Sequence, residues 1–382
     1  MDFLNFYAQE TIANAKKDEL TPYDPEYNRL RYIPLGMGLA IPPWNFANAI
    51  MVGLTVAPIV TGNTVLMKPA SDSCVVAYKF AEMLTDLGLP PGVLNFIPGS
   101  GAEIGDYLVD HPKTRFIGFT GSKEVGLRIT ERAAKPKKDQ IWIKRVISEM
   151  GGKDTIVVDE TADLDSAAKG IVSAAFGFAG QKCSACSRVV VMESVHDELL
   201  EKIIVETKNV VTTGDPKNRG VFLCPVINAK QWDIVDDYVK KAKEDGGEVV
   251  YGGNKIKTSE GGYFYAPTII KNVKPSDTIS LEEIFGPVVA VIKAKCWDEL
   301  LEIANNTEYG LTGSVYSKNV LRLEDATDRF HVGNLYLNRK CTGALVGVHP
   351  FGGFNMSGTD SKAGGKDYLY LFMQAKLISQ QL

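Results

Sequence analysis

The sequence predicts an α/β protein with parallel sheet in two successive regions, and three observations carry that prediction. Strands and helices alternate at residues 64–67, 72–87, 93–97, 102–109, 115–119 and 123–134, the beat of βαβ units. The alternation starts again at 154–158 and runs to residue 337. Polar or glycine-bearing turns follow three successive strands of the first series: Lys68 to Ser71, Gly99 to Gly105 and Gly121 to Gly126. In parallel sheets ligands bind where such turns collect, at the carboxyl ends of the strands.

In order, residues 5–17 read as a polar helix, followed by a proline-containing loop. Residues 30–41 form a strand-like run in which Pro34 marks a break or an edge position. The run ends in the apolar turn Pro42 to Phe46, which holds one amide at Asn45, and an apolar helix pattern continues to Val60. After the first series, a lysine-rich stretch at 135–140 leads to a strand at 141–147. Ser148, Glu149, Met150, Gly151 and Gly152 follow it. The second region reads as strand 154–158, helix 164–179, a turn at Cys183, strand 188–192 and helix 195–208. Helix 229–243, strand 248–251, a turn-rich stretch at 252–262 and strands near 264–270 come next. Glu282 to Pro287 breaks the chain before strand 288–292. Helices at 298–305 and 321–329 alternate with strands at 314–316 and 334–337. Residues 341–354 form a glycine-rich loop, and 372–382 end the chain as an apolar strand. That strand has no hairpin partner close in sequence, so pairing across a subunit interface is expected.

Composition narrows the function. With 45% hydrophobic and 23% charged residues, 382 residues are enough for two domains with real cores. A net charge of −4 with interspersed signs argues against nucleic acid or an anionic membrane as partner. The apolar runs are too short and too broken by Gly and Pro for a membrane span. The first residues lack the pattern of a signal peptide, so a cytoplasmic protein with reduced thiols is expected. Of six cysteines only Cys183 and Cys186 make a C-x-x-C, and no second pair completes a zinc site, so no metal is expected. A thioredoxin-type pair is the weaker reading, because that motif opens a helix after a strand and here the order is reversed.

The turns differ in what they offer. Gly99 to Gly105 is one residue off the dinucleotide spacing, and Gly121 to Gly126 is no P-loop, since Leu127 follows. A Gly-Ser step opening a helix, as at Gly121 and Ser122, still presents free N–H groups and a positive dipole end to a pyrophosphate. Glycines at strand–helix turns are ordinary turn chemistry one at a time; three in one sheet point to a nucleotide crevice.

The stretch Phe176 to Arg188 carries the candidate nucleophile. A small-residue helix runs into Gly180, strand follows, and Cys183 falls on the turn between them. A thiol acts as a nucleophile only as thiolate, which a neighbouring cation or backbone amides favour, and Lys182 adjoins it. The plain alternative is a buried, inert cysteine. Glu149, on a strand end before two glycines, suits a base that takes a proton and then moves aside; its plain alternative is an exposed carboxylate before a turn.

Together, Pro43-Trp-Asn45, Lys68-Pro-Ala, Phe119-Thr-Gly-Ser122, Glu149-Met-Gly-Gly, Gly180-Gln-Lys-Cys183 and Glu283-Ile-Phe-Gly-Pro287 resemble, in this order, the aldehyde dehydrogenase superfamily. The likeness runs from about Leu30 to the C-terminus. Cys183-Ser-Ala-Cys-Ser-Arg, Thr342-Gly-Ala-Leu-Val-Gly and Pro350-Phe-Gly-Gly-Phe-Asn-Met-Ser-Gly-Thr resemble its glutamate-semialdehyde branch, the 1-pyrroline-5-carboxylate dehydrogenases of proline degradation. The resemblance implies a Rossmann-like dinucleotide-binding domain incomplete at its N-terminus, a second α/β catalytic domain and a small β oligomerisation element. Its bounds are 1–39 for an N-terminal helix and oligomerisation strand, 40–149 for the dinucleotide domain and 150–351 for the catalytic domain. Residues 352–382 are the return segment and C-terminal oligomerisation strand.

The resemblance also implies roles. Cys183 attacks the aldehyde to give a hemithioacetal, Asn45 and a backbone N–H at Cys183 hold the oxyanion, hydride leaves to the nicotinamide, and Glu149 activates water against the thioester. Lys68 serves the adenosine ribose, Trp44 and Ser122 the pyrophosphate, Glu283 the nicotinamide ribose and Phe285 the nicotinamide, with Gly99 and Gly121 at the turns. Ser71 stands where NAD-strict relatives carry Glu, so NAD is expected with NADP tolerated. Ser184, Gly343 and Ala344 clasp the substrate carboxylate, and Phe46 and Phe351 sandwich its stem; for both rings core packing is the alternative. The expected partners are a small-molecule aldehyde and further copies of the chain. Relatives carry a longer N-terminal segment and Gly in place of Cys224. The alternative function is therefore a truncated, catalytically poor relative acting as a binding or assembly subunit. A cysteine hydrolase ranks last, because the four His sit in no Cys/His signature.

Overall fold

The computed structural model describes residues 1–15, 20–258 and 261–382 and divides into two compact units. Unit 1 comprises residues 1–150, 344–352 and 358–382, and unit 2 comprises 151–343 and 353–357. Residues 344–351, assigned from sequence to the catalytic domain, pack in unit 1.

Unit 1 holds a five-stranded, all-parallel sheet in the order Leu94–Phe96, Thr64–Met67, Met37–Ile41, Phe116–Thr120, Arg145–Glu149. The chain steps outward from the central Met37–Ile41 strand to one side and then restarts on the other. The strand order therefore reverses between Met37–Ile41 and Phe116–Thr120, where doubly wound sheets open a ligand crevice. Helix Ala49–Val60 is apolar all round and buries Met51 through Pro58, as a core helix must. It packs with Met67, Phe116, Leu369 and Phe372 in one cluster. Gly38 is required beside this core, since a Cβ there would fall 1.9 Å from the Phe116 ring.

The final segment returns to this core through the turn Tyr368–Phe372. Asn63 donates to the Phe372 carbonyl at 3.0 Å, and Arg145 donates to the carbonyls of Tyr370, Leu371 and Met373 at 3.2, 2.6 and 3.1 Å. The last strand, Met373–Gln381, finds an antiparallel partner in its own chain, Glu26–Pro34, paired along its whole length. The pairing expected across a subunit interface is thus satisfied internally on one edge. The run 30–41 splits at Pro34, as expected of a residue without a donor N–H, into that strand and Met37–Ile41.

Unit 2 holds a seven-stranded sheet in the order Asn334–Leu337, Thr312–Tyr316, Thr155–Val158, Arg188–Met192, Val288–Ala294, Thr268–Lys271, Glu248–Tyr251, parallel except for the last strand. Its central strands feed two cores alternately. Ile156, Val158, Val189, Val191, Val289 and Val291 enter one; Val157, Val190, Val288, Ala290 and Ile292 enter the other. Burial on both faces is why these strands read as continuous apolar runs.

Three expectations shift. The strand expected at 141–147 is Arg145–Glu149, because Ile141 and Ile143 are 86% exposed and the ladder to Phe116–Thr120 begins at Arg145. The helix expected at 164–179 ends at Phe176, for a reason given below. The first helix is Asp2–Asn14, and Lys16 and Lys17 lie outside the described residues, as do residues 259–260 of the turn-rich stretch. Among the described residues, no helix is long and apolar enough to cross a membrane.

Candidate active site

In unit 1 the candidate residues line one end of the sheet. Trp44, Asn45 and Phe46 follow Met37–Ile41, Lys68 and Ser71 follow Thr64–Met67, and Gly99 follows Leu94–Phe96. Gly121 and Ser122 follow Phe116–Thr120, and Glu149 closes Arg145–Glu149. Every strand is parallel, so these are all carboxyl ends.

The details suit a dinucleotide. Ser122 caps helix Lys123–Ala133 by accepting from Val125 N, and Ser100 caps the next turn along by accepting from Glu103 N. Each cap consumes one N–H of its helix start and leaves others for an anion. Lys68 is 6% exposed, and its ammonium donates to the Pro69 carbonyl at 3.2 Å. Burial lowers its pKa, an effect the nearby Cys74 thiol partly opposes. A buried ammonium with donors to spare fits ribose hydroxyls. Ser71 is exposed and opens the turn into helix Cys74–Asp86. Gly121 N donates to the Glu149 carbonyl at 3.1 Å, which fixes the Gly-Ser turn against the neighbouring strand end.

Asn45 is buried, Trp44 half-buried and Phe46 40% exposed, so Phe46 is no core residue. Glu149 is half-buried. Its Oε1 accepts from the Ser361 hydroxyl at 3.0 Å, a partner that sequence reasoning missed. Phe351 is held by a backbone pair with Ala363, with N···O distances of 2.9 and 2.8 Å, and Ala344 is half-buried at the start of the same loop.

In unit 2 the Cys183 turn is strained. Phe178, Ala179 and Gly180 lie in succession in the left-handed region, at φ 59°, 52° and 67°. Three such residues cannot continue a right-handed helix, which is why it stops at Phe176. Non-glycine residues held there cost roughly 1–3 kcal/mol each and persist only when their surroundings over-determine them. Gln181 supplies that constraint. Its amide donates to Phe178 O and Pro225 O, both at 3.3 Å, and its carbonyl accepts from Ile227 N at 2.8 Å. Gly180 has no alternative, since a Cβ there would lie 2.2 Å from Gly286 O.

Cys183 is half-buried on this turn, beside Lys182, whose pKa is lowered chiefly by burial and further by Lys340. Ser184 is buried, and its carbonyl accepts from the Cys341 thiol at 3.5 Å. Gly343, two residues on, is at φ 88° and accepts from Arg339. From sequence, Gly151 and Gly152 suggest freedom for Glu149 to swing; the structure also gives them a packing role. A Cβ on Gly151 would meet Glu283 Oε2 at 2.3 Å, and one on Gly152 would meet Cys183 O at 2.3 Å. Glu283 accepts from Gly152 N at 3.0 Å, and burial raises its pKa to about 7. Phe285 sits at φ 56°, and Gln231 fixes it by donating to Ile284 O and Phe285 O. A cleft lined by Gly152, Gly180, Lys182, Cys186, Glu283 and Phe285 opens there, at the amino ends of the central strands.

Beneath that cleft lie Lys153, Asp154 and Arg188, all buried. Asp154 Oδ1 accepts from Thr312 N and Oγ1 at 2.7 and 2.9 Å, while burial lowers the Lys153 pKa to about 7.

The fold and the residues gathered on it define a class of α/β enzyme that joins a nucleotide-type parallel sheet to a thiol-bearing unit. A family model described as the aldehyde dehydrogenase family matches residues 1–378, and the chain belongs to that family. It is 58% identical over 380 residues to a 1-pyrroline-5-carboxylate dehydrogenase of Anoxybacillus flavithermus, covering 100% of this chain and 73% of that protein. A solved 1-pyrroline-5-carboxylate dehydrogenase from Thermus with bound NAD superposes with a TM-score of 0.96 at 48% identity, again over 100% and 73% of the two chains. A betaine aldehyde dehydrogenase from Staphylococcus aureus in complex with NAD+ gives 0.93 at 26%, over 100% and 74%.

Proposed function

We propose that the chain oxidises L-glutamate γ-semialdehyde, the open form of 1-pyrroline-5-carboxylate, to L-glutamate with NAD as acceptor, in proline degradation. The observation that carries this is the 58% identity, across the whole chain, to a relative named for that substrate. In this reading Cys183 attacks the aldehyde carbon and the Asn45 amide donates to the oxygen that takes up negative charge. Such a preorganised donor contributes about 10²–10³ in rate. Loss of hydride leaves a thioester on Cys183, and Glu149 takes a proton from the water that cleaves it. When bound, the nicotinamide supplies the hydride acceptor. Lys68, Trp44, Ser122, Glu283 and Phe285 hold that cofactor, and Ser71, short and uncharged, leaves room for NADP. Ser184, Gly343 and Ala344 take the substrate carboxylate, with Phe46 and Phe351 along its stem.

The same proposal makes the enzyme a cytoplasmic homo-oligomer. The ribbon of Glu26–Pro34 and Met373–Gln381 exposes Tyr27, Tyr32 and Leu377, a surface suited to a second copy. A solution mass equal to the chain's 41.7 kDa would refute that part. NADH formation from glutamate semialdehyde, lost in Cys183→Ala, tests the activity. A folded protein that forms none would leave a binding or assembly role instead.

A further inference from the structure

We propose that Ser361 is a positioning residue for Glu149, and that with Lys362 it forms the polar seat in which this carboxylate rests as an anion. The inference relies on the reading of Glu149 as the base for thioester hydrolysis and adds the groups that make it one.

The seat is built on backbone. Glu149 and Gly358 form an antiparallel bridge. Thr359 N donates to Ser148 O at 2.9 Å, and the Thr359 hydroxyl accepts from Ser148 N at 3.0 Å. At its far end the segment is closed by the Phe351–Ala363 pair. Ser361, only 3% exposed, is thereby carried to the Glu149 side chain and donates to Oε1 at 3.0 Å. The carboxylate rests against bare backbone on two sides, since a Cβ on Gly352 or on Gly358 would each come within 3.0 Å of Oε1. Lys362 donates to Gly352 O at 2.6 Å, half-buried, which anchors a cation on the same segment.

Titratable groups face Glu149 from the segment that packs against it. Lys362 is felt electrostatically, with Asp360 acting on it from the same segment, and the buried Tyr368 phenol faces it from the turn Tyr368–Phe372. The neighbouring strand Phe116–Thr120 brings no titratable side chain. Both a hydroxyl donating to a carboxylate and a nearby ammonium favour the ionised form. A base that must take a proton from water works only in that form. The seat therefore keeps Glu149 ready as an anion at neutral pH, with the Ser361 hydroxyl among the groups that hold it in place.

The test is the pH dependence of kcat together with the pre-steady-state burst of NADH. Ser361→Ala should move the acidic limb of the kcat profile upward by about one pH unit. The burst should be unchanged, because acylation does not use Glu149, and Ser361→Thr should restore the limb. Lys362→Met should move the limb in the same direction, and it carries the test if Ser361→Ala melts below the assay temperature. A folded Ser361→Ala protein with an unmoved limb overturns the proposal. Glu149→Gln separates the two levels. If it turns over like the parent, the base assignment itself fails. If it stalls after the burst while Ser361→Ala is normal, only the seat fails.

Discussion

Replacing Gly152 by Ala is the sharpest perturbation of the thiol-bearing turn. The added Cβ would stand 2.3 Å from the Cys183 carbonyl oxygen and 2.6 Å from Asp154 Oδ2. Neither neighbour is a loose side-chain end. The first is backbone, and Asp154 is pinned by two bonds from Thr312. Ordinary van der Waals separation requires the carbonyl to retreat by about 1 Å, and overpacking of this kind costs about 1–3 kcal/mol. A shift of about 1 Å at a reacting group costs about 10² in rate. Gly152→Ala should therefore lose on the order of 10² in kcat/KM for NADH formation while unfolding in urea at only moderately lower midpoint. Gly101→Ala is the control, since a Cβ there meets nothing within 4 Å. A folded Gly152→Ala enzyme with unchanged kcat/KM would refute the claim that this glycine sets the position of Cys183.

Two further outcomes follow from the same geometry. Gln181→Leu strips the amide bridge to Phe178, Pro225 and Ile227 and leaves a backbone N–H without its partner, costing about 1–3 kcal/mol in unfolding free energy, with a larger fractional loss of activity than of stability. Lys153 should imprint the pH dependence of stability. Its pKa falls from 10.5 unfolded to about 7 folded. Between those values the unfolded chain binds the extra proton, so stability rises with pH across that window. Urea unfolding from pH 7 to 10 should show the rise, and Lys153→Met should abolish it; an identical slope in the variant would exclude Lys153 as its source.

Strands Thr64–Met67, Arg188–Met192, Glu248–Tyr251 and Asn334–Leu337 are legible to the residue, because short apolar runs bounded by turns leave little choice. The row of turns at the carboxyl ends of the first sheet was legible too, since alternation alone dictates parallel strands. The strained turn before Cys183 was not. Ala174 to Ala179 keeps a helical composition, and tertiary contacts, the grip of Gln181 and the close approach of Gly286 among them, override it. Likewise Ile141 and Ile143 have strand propensity but, among the described residues, pair with no strand. Ser361 escaped because its contact with Glu149 spans 212 positions and no local pattern announces it.

The division of unit 1 between the two ends of the chain has a consequence for biosynthesis. Its five-stranded sheet is complete in sequence by residue 149, yet Tyr368, Leu369 and Phe372 of its core, and the partner of Glu26–Pro34, leave the ribosome only after unit 2. Domains generally fold as they are made. Here the first sheet must wait, with part of its apolar surface uncovered, until all of unit 2 has been translated. A chain that stalls before residue 368 would expose that surface to chaperones and proteases.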